Sequence, residues 1–174
     1  TITLTSGELE VDNPLIITGP GSNVVTVNGN NNSGVIDSNS DLYLSGLTIS
    51  GGNIGGINHT SGDLTITRSV ISNNSTSFGG GGISNSSSGL VTINESTLSG
   101  NSAAGLGGAV YILGGTLSIN NSTISGNNAQ RGGGIYPGSF TVTNSTISGN
   151  TATLSGGGVY AGGGTISNST ISDN

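Results

Sequence analysis

Apolar residues along this chain fall in short alternating stretches, never in long runs. Leu64-Thr65-Ile66-Thr67 and Phe140-Thr141-Val142-Thr143 each place an apolar side chain at every second position. That is the period of a strand with one buried face. Taking Ile147 of "NSTISGN" as reference, equivalent positions fall at Leu4, Val27, Ile49, Ile71, Leu98, Ile124 and Ile171. A second series follows each glycine cluster, at Ile57, Ile83, Val110, Ile135 and Val159. A third lies just ahead of the first, at Leu44, Ile66, Ile93, Ile119, Val142 and Ile166. Three apolar stretches thus recur about every 24 residues, and self-similarity at such a period is the mark of a solenoid.

With β-branched alternation and Gly/Asn/Ser corners, the pattern predicts an all-β parallel β-helix. It has three short strands per coil, about 24 residues per coil and about seven coils, in a single domain over 1–174. Coils stacked about 4.8 Å apart make a rod roughly 34 Å long. Such a unit can equally be one segment of a longer repeat array.

The columns beside the first series sharpen the picture. Two places before it stand Ile2, Val25, Leu47, Ser69, Ser96, Ser122, Ser145 and Ser169, apolar or small as an inward column requires. One before it, Thr dominates (Thr3, Thr26, Thr48, Thr97, Thr123, Thr146, Thr170), interrupted by Val70. One after it run Thr5, Asn28 and then Ser50, Ser72, Ser99, Ser125, Ser148 and Ser172. These two columns point outward, forming a wall of hydroxyls. Three places after the reference stand Asn30, Gly52, Asn74, Asn101, Asn127, Asn150 and Asn174. Stacked asparagines hydrogen-bond along a column and tolerate left-handed backbone. Asn74, Asn101, Asn127, Asn150 and Asn174 are therefore expected to form a structural ladder.

Composition narrows the partners. Charged residues are 6% of the chain and the net charge is −6, with Arg68 and Arg131 the basic side chains besides His59. A row of phosphates could not be neutralised, which argues against nucleic acid and against anionic lipid. No apolar run reaches the roughly 18 to 20 residues of a spanning helix, so no membrane insertion is expected. There is no cysteine. A Ser/Thr/Asn surface without thiols fits an extracellular or cell-surface bacterial protein.

Gly107-Gly108-Ala109-Val110 resembles the Gly-Gly-Ala-aliphatic repeat of bacterial polymorphic outer-membrane proteins. The runs Gly132-Gly133-Gly134-Ile135 and Gly156-Gly157-Gly158-Val159 look like variants of it. The "TISGN" phrases are similar to right-handed β-helix surface proteins and autotransporter passengers. The resemblance implies a right-handed coil, export to the surface, and adhesive or passenger-type roles. The Phe-x-x-Asn phrase of that family is missing.

Catalysis on a polysaccharide would need clustered carboxylates, with a metal or basic group beside them. Asp41 and Asp63 share a column on adjacent coils and raise the question of calcium. A watery corner pair is the plainer reading. Arg68 and Glu95 also share a column, suggesting a surface salt bridge, and His59, beside Asn58 and Thr60, reads as solvated. No catalytic residue, metal ligand or cofactor site is assigned, and no enzyme is expected. Tyr111, Tyr136 and Tyr160 follow the second series on successive coils as an outward ladder, a candidate surface for glycan or a cell surface. The Thr/Ser wall resembles the faces of ice-binding solenoids. The strands at either end are in register, so Ile2 and Leu4 are expected to continue the columns of Ser169 and Ile171 in another copy. That gives a head-to-tail homopolymer.

Overall fold

The computed structural model describes residues 1–174 and contains strands, turns and no helix. Every strand pair is parallel, as successive coils of one solenoid must be. The first sheet has eight strands, from Ile2–Thr3 to Thr170–Ser172, which bound seven stacked coils. After it in the first six coils comes the second sheet, six strands from Leu9–Val11 to Ile135–Tyr136, and the seventh coil adds a single bridge at Val159. The third has seven, from Leu15–Thr18 to Gly163–Ser167. The three apolar series point inward and meet in one cluster of 26 buried residues along the axis.

A fourth sheet lies outside the three-strand expectation. Its strands are Ser75–Thr76, Ser102–Ala103, Asn128–Arg131 and Thr151–Ser155, between the first and second sheets. The early third coil crosses this gap with residues 51–56, whereas the fourth needs 73–82. The added residues of successive coils run side by side and pair, which satisfies backbone groups that a bulging loop would leave to water.

The register of the first strand is also corrected. Ile2, not Leu4, pairs with Val27, and Thr3 pairs with Asn28. Ile2 therefore heads the column that ends at Ile171, while Leu4 lies two places further on, where later coils turn the corner. No residue of the first strand continues the Ser169 column. A slip of two leaves every side chain on the same face, so alternation alone does not resolve it.

Corners carry the left-handed backbone. The asparagines three after the reference are not the left-handed ones from Asn74 on. The positive φ sits one residue earlier, at Asn73 (55°), Gly100 (65°), Gly126 (64°) and Gly149 (62°). This turn swings the next side chain into the core. A second corner, before the inward serines, is left-handed at Arg68 (47°), Glu95 (48°), Asn121 (48°), Asn144 (51°) and Asn168 (49°). Asn accepts this conformation far better than Glu. Glu95→Asn is expected to stabilise the fold by about 0.5–1 kcal/mol, read as a higher urea midpoint; a lower midpoint would refute the corner argument.

Candidate functional site

The inward polar groups build two ladders along the axis. Asn74, Asn101, Asn127 and Asn150 are each 1% exposed. The backbone N–H of Asn101 donates to Asn127 Oδ1 at 2.9 Å, and the Asn101 amide donates to the same oxygen at 3.0 Å. That amide also reaches back to the Ile71 carbonyl at 2.9 Å. The same bonds repeat from Asn127 to Asn150 and from Asn150 to Asn174. At the other end Gly52 N–H donates to Asn74 Oδ1, while Asn30 is exposed and lies outside the ladder.

The serine ladder is the functional feature that sequence reasoning treats only as small side chains. Ser69 N–H donates to Ser96 Oγ, Ser96 N–H to Ser122 Oγ, and Ser122 N–H to Ser145 Oγ, at 3.0–3.1 Å. Ser145 N–H continues to Ser169 Oγ. Each hydroxyl in turn donates to the carbonyl two residues before it, as Ser96 does to Asn94 at 2.6 Å. Hydroxyls thus repair the backbone at a corner where the chain turns left-handed. The signal in the sequence is the serine column following an Asn, Arg or Glu.

Asp41 and Asp63 do stand on adjacent coils, where they cap backbone. Asp41 Oδ1 accepts the Asp63 N–H at 2.9 Å, and Asp63 Oδ1 accepts the Leu90 N–H at 2.7 Å. Leu90, the next residue of that column, takes up the chain by its backbone. Both carboxylates edge an open cleft of about 360 Å³ with Pro14, Leu15, Ile16 and Tyr43. Arg68 and Glu95 stand on adjacent coils at the left-handed corner, and no salt bridge joins them.

More acids meet on the outer face of the second sheet. Glu10, Asp37 and Asn58 are register partners. With Asp12, Asn39 and Thr60 they line a polar cleft of about 190 Å³. Asn39 donates to Asp12 at 2.7 Å and Asn58 to Asp37 at 3.0 Å. The first two of these coils lack the glycine cluster that marks the second series, so their strands are hard to align by eye. No three acidic or imidazole side chains converge closely enough to hold a metal ion.

His59 corrects the sequence reading outright: it is fully buried. It shares an inward column with Ser38 and Asn85. Its Nε2 faces the Gly62 carbonyl at 3.2 Å. Burial pushes the imidazole below its ordinary value, opposed by the Gly62 hydrogen bond and then by the Asp41 and Asp63 charges. The unfolded chain binds a proton near pH 6.5 that the folded chain resists. The stability due to neutral burial is therefore complete above that pH and is lost as pH falls through the lower folded value. Between pH 7.5 and 5.5 the unfolding free energy is expected to fall, by at most about 1.4 kcal/mol per pH unit. In His59→Leu this dependence should vanish; if wild type is flat over the range, the burial argument fails.

Tyr111, Tyr136 and Tyr160 form a continuous outward stack. Tyr111 meets Tyr136 edge-on at 5.7 Å, and Tyr136 stacks on Tyr160 at 5.2 Å. Only Tyr136 and Tyr160 turn their faces to one another. Beside Tyr111 an open cleft of about 380 Å³ is walled by Phe78, Leu106 and two glycines. Phe78 is 81% exposed.

The outer columns of the first sheet hold their register without a slip from Thr26 to Thr170 and from Asn28 to Ser172. Val70 interrupts the threonines, and Asn28 heads the serines.

A parallel β-solenoid with internal Asn and Ser ladders is the class of protein this arrangement defines. Two segments, residues 95–113 and 144–162, match the Chlamydia polymorphic membrane protein repeat. Each contains three left-handed positions, one first-sheet strand, one Asn rung and one Gly-Gly-x-Val run. At this coarse level the chain is similar to proteins of the bacterial outer membrane and cell surface. No curated protein and no solved structure gives a match. No helix is long and apolar enough to cross a membrane.

Proposed function

We propose that the chain is a non-enzymatic structural or adhesive rod at the bacterial surface. The observation that carries this reading is the continuity of the two ladders, from Ser69 and Asn74 to Ser169 and Asn174. They commit the inward polar groups to joining one coil to the next, which favours rigidity along the axis. The expected results are no products from neutral or acidic polysaccharides, and a melting midpoint unchanged by millimolar calcium or chelator. Calcium-dependent cleavage of any glycan would overturn it.

Contact would fall on the Tyr edges and the Phe78 cleft, as for a glycan or a host cell surface. The reading extends to copies stacked head to tail, with Ile2 (57% exposed) set against Ile171 (45%). In that geometry the apolar columns continue, while Ser169 and Asn174 find no Ser or Asn in the first strand to extend their ladders. Electron microscopy should show filaments that Ile171→Lys abolishes; short particles for both proteins would end this part of the proposal.

A second reading rests on the unbroken register of the Thr/Ser wall. Hydroxyl columns about 4.8 Å apart between coils suit a repeating lattice such as ice. Thermal hysteresis of the purified protein, lost in Thr123→Lys, is the expected result; none in wild type rejects it.

A further inference from the structure

Two buried acceptors in adjacent coils have no donor. His59 and Asn85 are register partners on the second sheet, 0% and 1% exposed. His59 Nε2 faces a carbonyl, Gly62 O at 3.2 Å, so it must carry the proton. Nδ1 is then a bare acceptor, and nothing in the chain donates to it. The Asn85 amide is oriented equally firmly, because its nitrogen donates to two carbonyls, Ser87 O and Gly114 O, both at 3.0 Å. Its Oδ1 is therefore fixed as the second acceptor, and it too is unpartnered. Exchanging the tautomer or flipping the amide would set lone pairs against carbonyl oxygens.

The neighbours supply no remedy. Ser38, on the other side of His59 in the column, donates its hydroxyl to Ser40 O at 2.9 Å. Ser87 donates to Gly62 O at 2.6 Å. The charged groups acting on the imidazole are Asp41 and Asp63, carboxylates that donate nothing. Beyond Asn85 the column turns apolar at Ile112. Nearly all buried polar groups in folded proteins have a partner, in protein or in ordered water. Two acceptors on register partners in adjacent coils, neither with a donor, call for a double donor of small size.

We propose that His59 Nδ1 and Asn85 Oδ1 form an internal binding site for one water molecule, which gives an O–H to each. The bridge joins the third and fourth coils on the second sheet. It does for these coils what the Asn and Ser ladders do from the fourth onward. The Asn ladder reaches back to Gly52 by a single backbone donor, and the serine ladder gives way to Leu47, whose N–H approaches Ser69 Oγ at 3.5 Å. The water site thus lies where the two ladders run out.

The test is nitrogen and proton NMR on the intact chain at pH 7.5, with Asn85→Leu as comparison. In wild type, His59 is expected as the Nε2–H tautomer, its Nδ1 shifted as a hydrogen-bonded acceptor, with cross-peaks to a long-lived water. In Asn85→Leu the cross-peaks should disappear and the His59 titration should move to lower pH, since the polar group supporting its charged form is gone. An imidazolium at pH 7.5, or a bare Nδ1 without water cross-peaks in wild type, would overturn the site. An unchanged His59 titration in a folded Asn85→Leu would do the same. Should that variant not fold, the wild-type spectrum alone decides.

Discussion

Asn127→Ala is expected to lower the unfolding free energy by about 3–5 kcal/mol, among the largest losses a single truncation produces. Asn127 is 1% exposed, and its side chain joins three coils. Its Oδ1 accepts both the N–H and the amide of Asn101. Its Nδ2 donates to Leu98 O at 3.0 Å, Ser125 O at 3.1 Å and Asn150 Oδ1 at 2.9 Å. Alanine leaves the Asn101 donors and the Leu98 carbonyl buried, and water reaches none of them. Each such orphan costs about 1–3 kcal/mol. Asn174→Ala removes the same side chain from an exposed rung, where solvent can replace the lost bonds, and should cost about 1 kcal/mol or less. Urea denaturation of the two variants compares them directly. Equal midpoints would mean that the ladder is a consequence of stacking and not a cause of it.

The contrast between rungs explains why so much of the fold was legible. Alternation separates inward from outward positions, and in a solenoid each coil repeats the test. By the fourth coil Ile71, Ile83 and Ile93 had only one consistent placement. The early coils were harder. Leu9, Ile36 and Ile17 belong to the same inward columns, but no glycine cluster announces the strands at Leu9 and Ile36. Leu4 and Ile2 could not be distinguished, because a two-residue slip conserves the faces. His59 departs from its expected solvation for a different reason. It lies two places after Ile57 in a strand that buries alternate positions, so its phase was inward all along. The expectation that a lone imidazole among Asn and Thr is solvated takes no account of that phase. The tyrosine stack and the Asn rungs were visible as columns, while the role of the serines was not. A hydroxyl that caps a left-handed corner looks, in sequence, like any small residue.

Gly108→Ala is expected to cost about 3 kcal/mol or more, although it adds one methyl group. A Cβ at this position would be driven into the Gly133 carbonyl oxygen of the next coil, and would lie 2.6 Å from Asn128 O and 2.7 Å from Asn128 N. All three are backbone atoms held by the stacking of the coils, so no side chain can move aside. Gly133 and Gly157 face similar backbone obstacles in the same column, which argues that this glycine keeps the coils at stacking distance. Its neighbours play other parts in the run. Gly107 has φ of 62° and turns the corner, Ala109 is fully buried, and Val110 enters the core. The Gly-Gly-Ala-aliphatic phrase therefore reads as turn, close approach, small inward residue and core anchor. Gly126→Ala isolates the first of these effects. It has φ of 64°, and a Cβ there meets nothing within 4 Å, so only the left-handed penalty of about 1–2 kcal/mol applies. Thermal or urea unfolding should rank Gly108→Ala as clearly the less stable of the two. If Gly126→Ala proves equal or worse, backbone conformation and not coil-to-coil contact is what the repeated glycines supply.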